Sequence, residues 1–308
     1  MIEEKFPTPE QAENVGMREG DASRFITAGL LASLLHERPV FAHKGLFGHA
    51  LLIAGSRGMT GAVQLAAKAC LRSGVGLLTL HVPASACVIV QTAVPEAMAE
   101  CDAEADRVSS LNLKSLAKYT AAGIGPGLGR SEEAARCLKQ LLQFYRRPIL
   151  CDADALNILS ENPTWMEFLP AGSVLTPHIG ELERLVGSCG DAFERLEKTK
   201  ILAARHRCVC LIKGAFTAVV CPDGQVFFNT TGNPGMATGG SGDVLSGIIL
   251  SFLAQGYPAV QAAVAGVFLH GLAGDLALAD ESEESLLAGD IVSRLGKAFK
   301  ALKASPIG

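Results

Sequence analysis

The sequence predicts an α/β fold, a three-layer sandwich in which a central, mostly parallel sheet carries helices on both faces. From residue 50 onward, short apolar runs alternate with segments of helical spacing, as in repeated βαβ units. The 308-residue chain is also 49% apolar and 19% charged, with a mean hydropathy of +0.29. This composition excludes a disordered protein and supplies a large core.

The first predicted unit contains residues 51–54 as a strand, 55–61 as a turn, 62–72 as a helix and 75–82 as a strand that Pro83 ends. Its helix is recognised by apolar residues at helical spacing, and its strands by short apolar runs.

The second predicted unit begins with the apolar strand 121–124. Ser131 is a suitable N-cap for the helix that follows, since a serine oxygen can accept a hydrogen bond from the first turn. Pro148 stops this helix, and residues 149–151 form the next strand.

The remaining elements follow from the same patterns. Pro222-Asp223-Gly224 separates two apolar runs and predicts a hairpin. The predicted strands are 173–175, 209–212, 217–221 and 226–228, and three helices near 243–254, 259–279 and 289–302 close the chain.

The sequence predicts one domain, residues 26–308, preceded by a partly disordered or loosely packed extension, residues 1–25. Residues 1–20 hold five acidic residues and no apolar stretch, which argues against a signal peptide. The apolar region 244–279 is split by residues 255–258 into two pieces that suit buried helices better than membrane spans. A soluble, cytoplasmic protein without a membrane partner is expected.

The charge of the chain argues against nucleic-acid binding, and its cysteines argue against a zinc site. The net charge is −4, and neither sign forms a long block, so a nucleic-acid partner is not expected. The nine cysteines contain no C-x-x-C pair and lie mostly in apolar runs. They are therefore predicted to be buried, reduced thiols rather than zinc ligands.

Glycine is in excess, with 33 residues where average usage predicts about 22. Gly239, Gly240 and Gly242 surround Ser241 and lead directly into Asp243 and an apolar helix. A glycine turn at a helix N-terminus exposes N–H groups that favour an anion, so this segment predicts a phosphate cradle. Asp243 at its rim can accept the proton of an attacking hydroxyl, although an aspartate at a helix start is often only a cap.

The string GGSGD before an apolar helix resembles the anion-hole motif of ribokinase-like enzymes. The longer string TGNPGMATGGSGDVLSGII resembles the ADP/ATP-dependent NAD(P)H-hydrate dehydratase family, and the resemblance extends over residues 26 to 300. Further matching blocks, in order, are His43-Lys44-Gly45 with Gly48, GSRGMTGAVQLAAKACLRSGVGLL (55–78), GPGLG (125–129), DADALN (152–157), LTPHIGELERL (175–185) and KGAFT (213–217).

The resemblance implies a ribokinase-like fold and repair of hydrated NADH or NADPH, with a preference for the S epimer. ADP or ATP would phosphorylate the ring hydroxyl, and phosphate would then leave, since phosphate is a far better leaving group than hydroxide. Mg²⁺ is expected with the nucleotide. The resemblance also implies a homotetramer. Because the residues before Ile26 are too few for the epimerase domain of some relatives, a separate epimerase is expected.

The resemblance also implies residue roles. Asp243 would be the catalytic residue and contact the substrate, and Gly240, Ser241 and Gly242 would form the anion hole. The hydrate would contact Ala62, Gly127 and His178. The nucleotide would contact Lys213, Gly214, Ala215, Phe216, Thr217 and Gly242. Glu181 would hold Mg²⁺ through water.

Several of these residues also have ordinary interpretations. A lysine-glycine pair at a strand end is commonly a turn, and a lone histidine is usually structural. His178 stands where ribokinase-like enzymes usually have asparagine, which weakens the metal assignment of Glu181. Asp152 and Asp154 either organise metal or water or cap the helix that begins near Ala155.

Two other functions remain open: a kinase for a thiazole or pyrimidine alcohol, and a non-catalytic nucleotide sensor. The glycine-aspartate motif alone does not separate the dehydratase from the kinase, whereas GPGLG, TPHIGE and NPGMATGG favour the dehydratase. Seventeen of the 33 glycines lie in residues 45–76, 123–129 and 232–247, which predicts that glycine mainly marks the binding site.

Overall fold

The computed structural model describes residues 2–17 and 23–304, and a ten-stranded sheet forms its centre. The strand order is β1-β10-β9-β8-β7-β6-β5-β2-β3-β4, and only β9 among these runs antiparallel to its neighbours. The strands are β1 (Ser23–Ile26), β2 (His49–Ile53), β3 (Leu77–Val82), β4 (Met98–Cys101), β5 (Ala121–Ile124), β6 (Ile149–Cys151), β7 (Val174–Leu175), β8 (Val209–Ile212), β9 (Ala218–Val220) and β10 (Val226–Asn229).

Helices cover both faces of the sheet, which confirms the predicted three-layer α/β sandwich. Leu52 and Ala54 pack with helices on one face, whereas Leu51 and Ile53 pack on the other, because successive strand side chains point in opposite directions. The helices are α1 (Pro9–Asn14), α2 (Ala28–Leu34), α3 (Thr60–Arg72), α4 (Ala84–Ala93), α5 (Glu132–Phe144), α6 (Asp154–Glu161), α7 (Ile179–Val186), α8 (Ala192–His206), α9 (Ser241–Ala254), α10 (Ala259–Ala277) and α11 (Ala288–Ala304).

Helices from the two ends of the chain cover one face of the sheet, and helices from its middle cover the other. Helices α2, α3, α4, α9, α10 and α11 pack on the face of Leu52, and α5 to α8 pack on the face of Leu51. Strands β5 and β6 have the predicted bounds, and the Ser131 side chain accepts a hydrogen bond from Ala134 N, as predicted for an N-cap. The predicted hairpin is the antiparallel pair β9 and β10.

The apolar region near the C-terminus forms two helices, α9 and α10, as predicted. Every residue of α9 from Val244 to Ala254 is buried. By length and composition alone α10 could cross a membrane, but a core helix passes the same test, and 67% of its apolar window is buried inside the fold.

The described N-terminal residues are mostly exposed or partly buried, but they contact the rest of the fold at several points. The predicted boundary between residues 25 and 26 falls inside β1, which pairs in parallel with β10. Lys5 donates its backbone N–H to Thr230 O at 2.7 Å, and its ammonium group pairs with Asp275 at 2.9 Å. Residues 18–22, which also belong to the predicted extension, lie outside the described residues.

The prediction that all nine cysteines are reduced is wrong for one pair. Cys87 of α4 and Cys101 of β4 form a disulfide, with a Cα–Cα distance of 5.9 Å. A spacing of 14 residues gave no signal of this pair, because α4 and β4 were not predicted as elements. The other seven cysteines are free, and all of them except Cys189 are buried.

Several glycines in the expected binding blocks are required by packing, so the prediction that glycine mainly marks the binding site does not account for every glycine there. Gly247 of α9 is the clearest case, since a Cβ there would lie 2.1 Å from Ala66 O of α3. The two helices therefore cross with their backbones in direct contact. The other glycines of these blocks at which a Cβ would lie within 3 Å of backbone atoms are Gly48, Gly76, Gly125, Gly127 and Gly235.

Substituting Gly247→Ala is expected to lower the free energy of unfolding by about 1–3 kcal/mol, because the added methyl group forces α9 away from α3. Gly296→Ala is the matched control, since Gly296 lies on the exposed side of helix α11 and a Cβ there meets nothing within 4 Å. The control should gain about 0.5–1 kcal/mol from helix propensity. Urea unfolding of the two variants measures both values, and equal stability would contradict the packing role of Gly247.

Candidate active site

The predicted site residues converge where three neighbouring parallel strands end. Asp152 follows β6, His178 follows β7 and Lys213 follows β8, and these strands are adjacent in the sheet. Lys213 N donates to Pro177 O at 3.0 Å, and His178 and Lys213 form a parallel bridge. The carboxyl edge of an open parallel sheet is where such folds place their ligands.

The predicted anion hole is the first turn of α9. Gly240 has a φ of +90° and precedes Ser241, the first residue of the helix. A Cβ at Gly240 would lie 2.4 Å from Leu65 Cδ1, so both the backbone conformation and the packing require glycine. No side-chain hydrogen bond from the described residues caps this turn. Its N–H groups and the helix dipole therefore favour a negative charge here.

The Lys213 ammonium group lies beside this turn. A Cβ added to Gly242 would be 3.3 Å from Lys213 Nζ. Nζ forms an ion pair with Asp152 Oδ1 at 2.8 Å, and the lysine side chain is 18% exposed. Burial lowers the pKa of Lys213, but the negative charges of Asp152, Glu181 and Asp243 outweigh burial and raise it above its ordinary value. The lysine is therefore a fixed positive charge next to the helix N-terminus.

Asp243 is half-buried in the same turn of α9. Burial raises the pKa of its carboxyl to about 6, with further contributions from the charges of Asp152 and Asp154, while Lys213 acts in the opposite direction. A carboxylate with a raised pKa is a stronger base than an ordinary aspartate and is still ionised at pH 7. The electrostatic surroundings thus suit the predicted proton-accepting role.

His178 and Glu181 form a capping box at the start of α7. His178 Nδ1 accepts hydrogen bonds from Gly180 N at 3.0 Å and Glu181 N at 3.3 Å, and Glu181 Oε2 accepts from His178 N at 2.9 Å. Glu181 is buried, whereas the His178 side chain is 56% exposed. The spacing of these two residues is that of a capping box with histidine in place of serine, which is a signal visible in the sequence.

The segment 213–217 is a short loop between β8 and β9. Gly214 and Ala215 are exposed, and Phe216 has a φ of +53°. The Thr217 hydroxyl donates to Gly214 O at 2.9 Å and closes the loop. The hydroxyl that was expected to donate to a phosphate therefore also holds the shape of the loop itself.

Ala62 and Gly127, the two small residues predicted at the hydrate site, lie next to each other. A Cβ at Gly127 would be 3.2 Å from Ala62 Cβ and 2.7 Å from Met59 O, and Gly127 has a φ of +58°. Ser56 Oγ donates to Gly127 O at 2.8 Å. Glycine is required at 127 by the packing of these two loops and not only by clearance for a ligand.

Asp152 and Asp154 do not cap α6 with their side chains, so the capping alternative is wrong. Ala153 is the N-cap residue and makes no side-chain capping bond. Asp152 instead binds Lys213 and accepts from Ser246 Oγ at 2.7 Å, and Asp154 Oδ2 accepts from Gly129 N at 2.8 Å.

Two further polar residues of the site, Ser246 and His270, were not predicted from the sequence. His270 Nε2 lies 3.2 Å from Ser241 Oγ, and burial lowers the pKa of this histidine to about 4. His270 is therefore neutral at pH 7. Both residues lie inside apolar helices, and no local motif distinguishes them.

Two other features of the described residues bear on the site. Residues 2–17 and 23–304 contain no group of three His, Cys, Asp or Glu side chains that could hold a metal ion by themselves. A surface groove of about 510 Å³ lies elsewhere, between α6, α7 and α8, and contains none of the predicted site residues. The convergence of charged groups, rather than this groove, identifies the candidate site.

Comparisons with known proteins identify the family that this chain resembles. A family model described as NAD(P)H-hydrate dehydratase matches residues 50–297. The bifunctional NAD(P)H-hydrate repair enzyme of Moorella thermoacetica is 40% identical over 288 residues, which cover 91% of this chain and 54% of that protein. The chain spans about half the length of the curated relatives it matches.

Solved structures are similar over nearly the whole chain. The ADP/ATP-dependent NAD(P)H-hydrate dehydratase of Bacillus subtilis, co-crystallised with ATP and Mg²⁺, has a TM-score of 0.76 and 31% identity, covering 91% of this chain and 98% of that one. A ribokinase-like superfamily protein of Enterococcus faecalis has a TM-score of 0.81 and 30% identity, covering 92% and 98%. The predicted ribokinase-like fold is confirmed.

Asp243→Asn is expected to stabilise the protein at pH 8 by roughly 1–2 kcal/mol and to give almost no gain at pH 4. The folded-state pKa of about 6 lies above that of an unfolded aspartate, so the stability that this carboxyl contributes is complete below the unfolded pKa. It is lost as the pH rises through 6. Urea unfolding at the two pH values measures the difference, and an equal effect at both would contradict the raised pKa.

Proposed function

This chain belongs to the NAD(P)H-hydrate dehydratase family, and we propose that it dehydrates the S epimer of hydrated NADH or NADPH with ADP or ATP as phosphoryl donor. With ADP the balanced reaction converts the hydrate and ADP into NAD(P)H, AMP and phosphate. The ring hydroxyl first becomes a phosphate ester. The ester's C–O bond then breaks, phosphate leaves, and the ring loses a proton to restore the double bond.

The observation that carries this proposal is the placement of Asp243 in an uncapped helix turn beside a lysine. The carboxylate accepts the proton of the ring hydroxyl as its oxygen attacks the terminal phosphorus of the nucleotide. The N–H groups of Gly240, Ser241 and Gly242 stabilise the negative charge on the transferred phosphoryl group. Lys213 supplies the positive charge on the same side of the turn.

We propose that the hydrate and the nucleotide approach the Asp243 carboxylate from two sides. The hydrate would contact Ala62, Gly127 and the exposed ring of His178. The nucleotide would lie along the 213–217 loop, where the exposed backbone of Gly214 and Ala215 permits close approach. Phe216 and Thr217 would complete its binding surface.

Mg²⁺ fits this site only as an ion shared with nucleotide phosphates and water. Glu181 is buried and its Oε2 already accepts a backbone N–H, which leaves it suited to a water-mediated contact. Few protein carboxylates and several waters are the usual Mg²⁺ arrangement at phosphates, where the ion neutralises their charge. We therefore assign Glu181 as its protein contact.

Three further properties of this chain are proposed from the family. The protein is expected to be a cytoplasmic homotetramer, and the S epimer is expected to be supplied by a functionally linked epimerase activity. The bifunctional NAD(P)H-hydrate repair enzymes of Moorella thermoacetica and Coxiella burnetii are about 1.7 times as long as this chain.

The function is tested by incubating the protein with hydrated NADH, Mg²⁺ and either ADP or ATP, and following the near-UV absorbance of reduced nicotinamide. Recovery with at least one nucleotide is expected, together with release of AMP when ADP is used. A thiazole alcohol and a pyrimidine alcohol, incubated with ATP in parallel, test the alternative kinase function. No recovery of NADH with either nucleotide would overturn the proposal.

Asp243→Asn is expected to reduce turnover of the hydrate by about 100-fold or more, because general base catalysis typically contributes that much. Nucleotide binding measured by calorimetry should change by less than about threefold, since the anion hole and Lys213 are retained. Asp223→Asn, in the hairpin turn between β9 and β10, is the control and should retain wild-type turnover. Undiminished turnover in Asp243→Asn would remove Asp243 as the base.

Lys213→Met is expected to weaken nucleotide binding about 10-fold or more, because a charge-assisted hydrogen bond to phosphate is worth about 1.5–3 kcal/mol. Lys200→Met is the matched control, since Lys200 pairs with Glu197 on the surface of α8. Calorimetric titration with ADP compares the two variants. Equal affinities would contradict a nucleotide-binding role for Lys213.

A further inference from the structure

Asp152 is the most buried charged residue of the candidate site. Its carboxylate contacts Lys213, which follows β8, and Ser246 of α9. Asp152 is 1% exposed, and Ala153 next to it has a φ of +48°. One carboxylate oxygen pairs with Lys213 Nζ at 2.8 Å, and the other accepts from Ser246 Oγ at 2.7 Å. Asp152 therefore connects the end of β6 to the end of β8 and to α9.

The charges of three carboxylates act on Lys213: Asp152, Glu181 and Asp243. In the described part of the chain its ammonium group forms its ion pair with Asp152, and it lies beside Gly242 rather than against the Asp243 carboxylate. A direct pair with Asp243 would hold that carboxylate in its ionised form and make it a weaker base.

We propose that Asp152 is a positioning residue: it holds the Lys213 ammonium beside the anion hole and so keeps the Asp243 carboxylate free to accept the substrate proton. This inference rests on the proposed function for its chemical meaning, but the arrangement of the three side chains does not. Asp152 would act without touching either substrate.

The electrostatic surroundings of Asp243 agree with this role. The charged groups that act on it are Asp152, Lys213 and Asp154. After burial, the charge of Asp152 is the largest influence raising the pKa of Asp243, and Lys213 is the one that lowers it. Asp152 thus acts twice, by direct repulsion and by holding Lys213 in its own ion pair.

A purely structural ion pair is the alternative, because removing one partner of a buried pair also destabilises a fold. The two roles differ in what they predict for the Asp243 carboxyl. A structural role lowers stability and shifts the titration of Asp243 only through loss of the Asp152 charge, whereas the positioning role adds the effect of the released Lys213 ammonium group. Ser246→Ala separates them further, since it removes one hydrogen bond and keeps the Asp152 charge.

The test is a carboxyl ¹³C NMR titration of Asp243 in protein labelled at aspartate, with Asp243→Asn used to assign its signal. Asp152→Asn is expected to lower the pKa of Asp243 by about one unit or more, because a nearby negative charge is removed and Lys213 is released. Ser246→Ala should shift it by less than about half a unit. Asp102→Asn, which removes a buried carboxylate near β4, should shift it by less than that.

The pH dependence of kcat/KM provides the second readout. In Asp152→Asn its acidic limb should move to lower pH by the same amount as the NMR titration. If Asp152→Asn does not fold, Lys213→Met decides the question. That variant leaves Asp152 unpaired and should raise the pKa of Asp243 by about one unit, so an unchanged value there overturns the inference.

The outcomes separate this inference from the proposed function. An unchanged Asp243 titration in folded Asp152→Asn overturns the positioning role, even when the wild-type protein recovers NADH from the hydrate. A wild-type protein that recovers no NADH overturns the proposed function, while a shifted titration still supports the control of Lys213 and Asp243 by Asp152.

Discussion

The contact between α9 and α3 at Gly247 fixes the helix on which the candidate site depends. Because the two backbones meet there without an intervening side chain, α9 lies deep in the layer and is enclosed along its length. Its first turn is then held at the carboxyl edge of the sheet, next to the loops after β6 and β8. The anion-hole backbone begins a helix that is buried from Val244 to Ala254, so its N–H groups need little reorganisation to meet a phosphate.

The site combines this rigid turn with a small set of opposed charges. One ammonium group and three carboxylates share a partly buried space, and their arrangement decides which carboxylate remains available as a base. Asp152 is satisfied by Lys213 and Ser246, and Asp154 by the Gly129 N–H. Asp243 alone of the three sits in the turn that would bind the phosphoryl group. Burial and charge therefore give chemically identical side chains different tasks.

Patterns of neighbouring residues predicted several strands and helices correctly. The apolar runs 121–124 and 149–151 correspond to β5 and β6, and Ser131 begins α5, because strand burial and helix capping depend on neighbouring residues. Strands β1 and β4 were missed, since edge strands bury less and alternate weakly. The family resemblance located Asp243 and Lys213, but the Asp152 contacts join residues 61 and 94 positions apart. Such contacts depend on the assembled sheet and leave no sequence pattern.

Because β9 runs antiparallel to β8, the 213–217 loop tolerates changes in length better than the neighbouring loops do. The loops after β6 and β7 lead into α6 and α7, so a change in their length would displace a helix. The 213–217 loop instead returns straight into the sheet as β9, anchored at both ends by strand hydrogen bonds. Insertions in such a hairpin are absorbed at its tip. A change in the length of this loop would therefore leave the rest of the carboxyl edge in place.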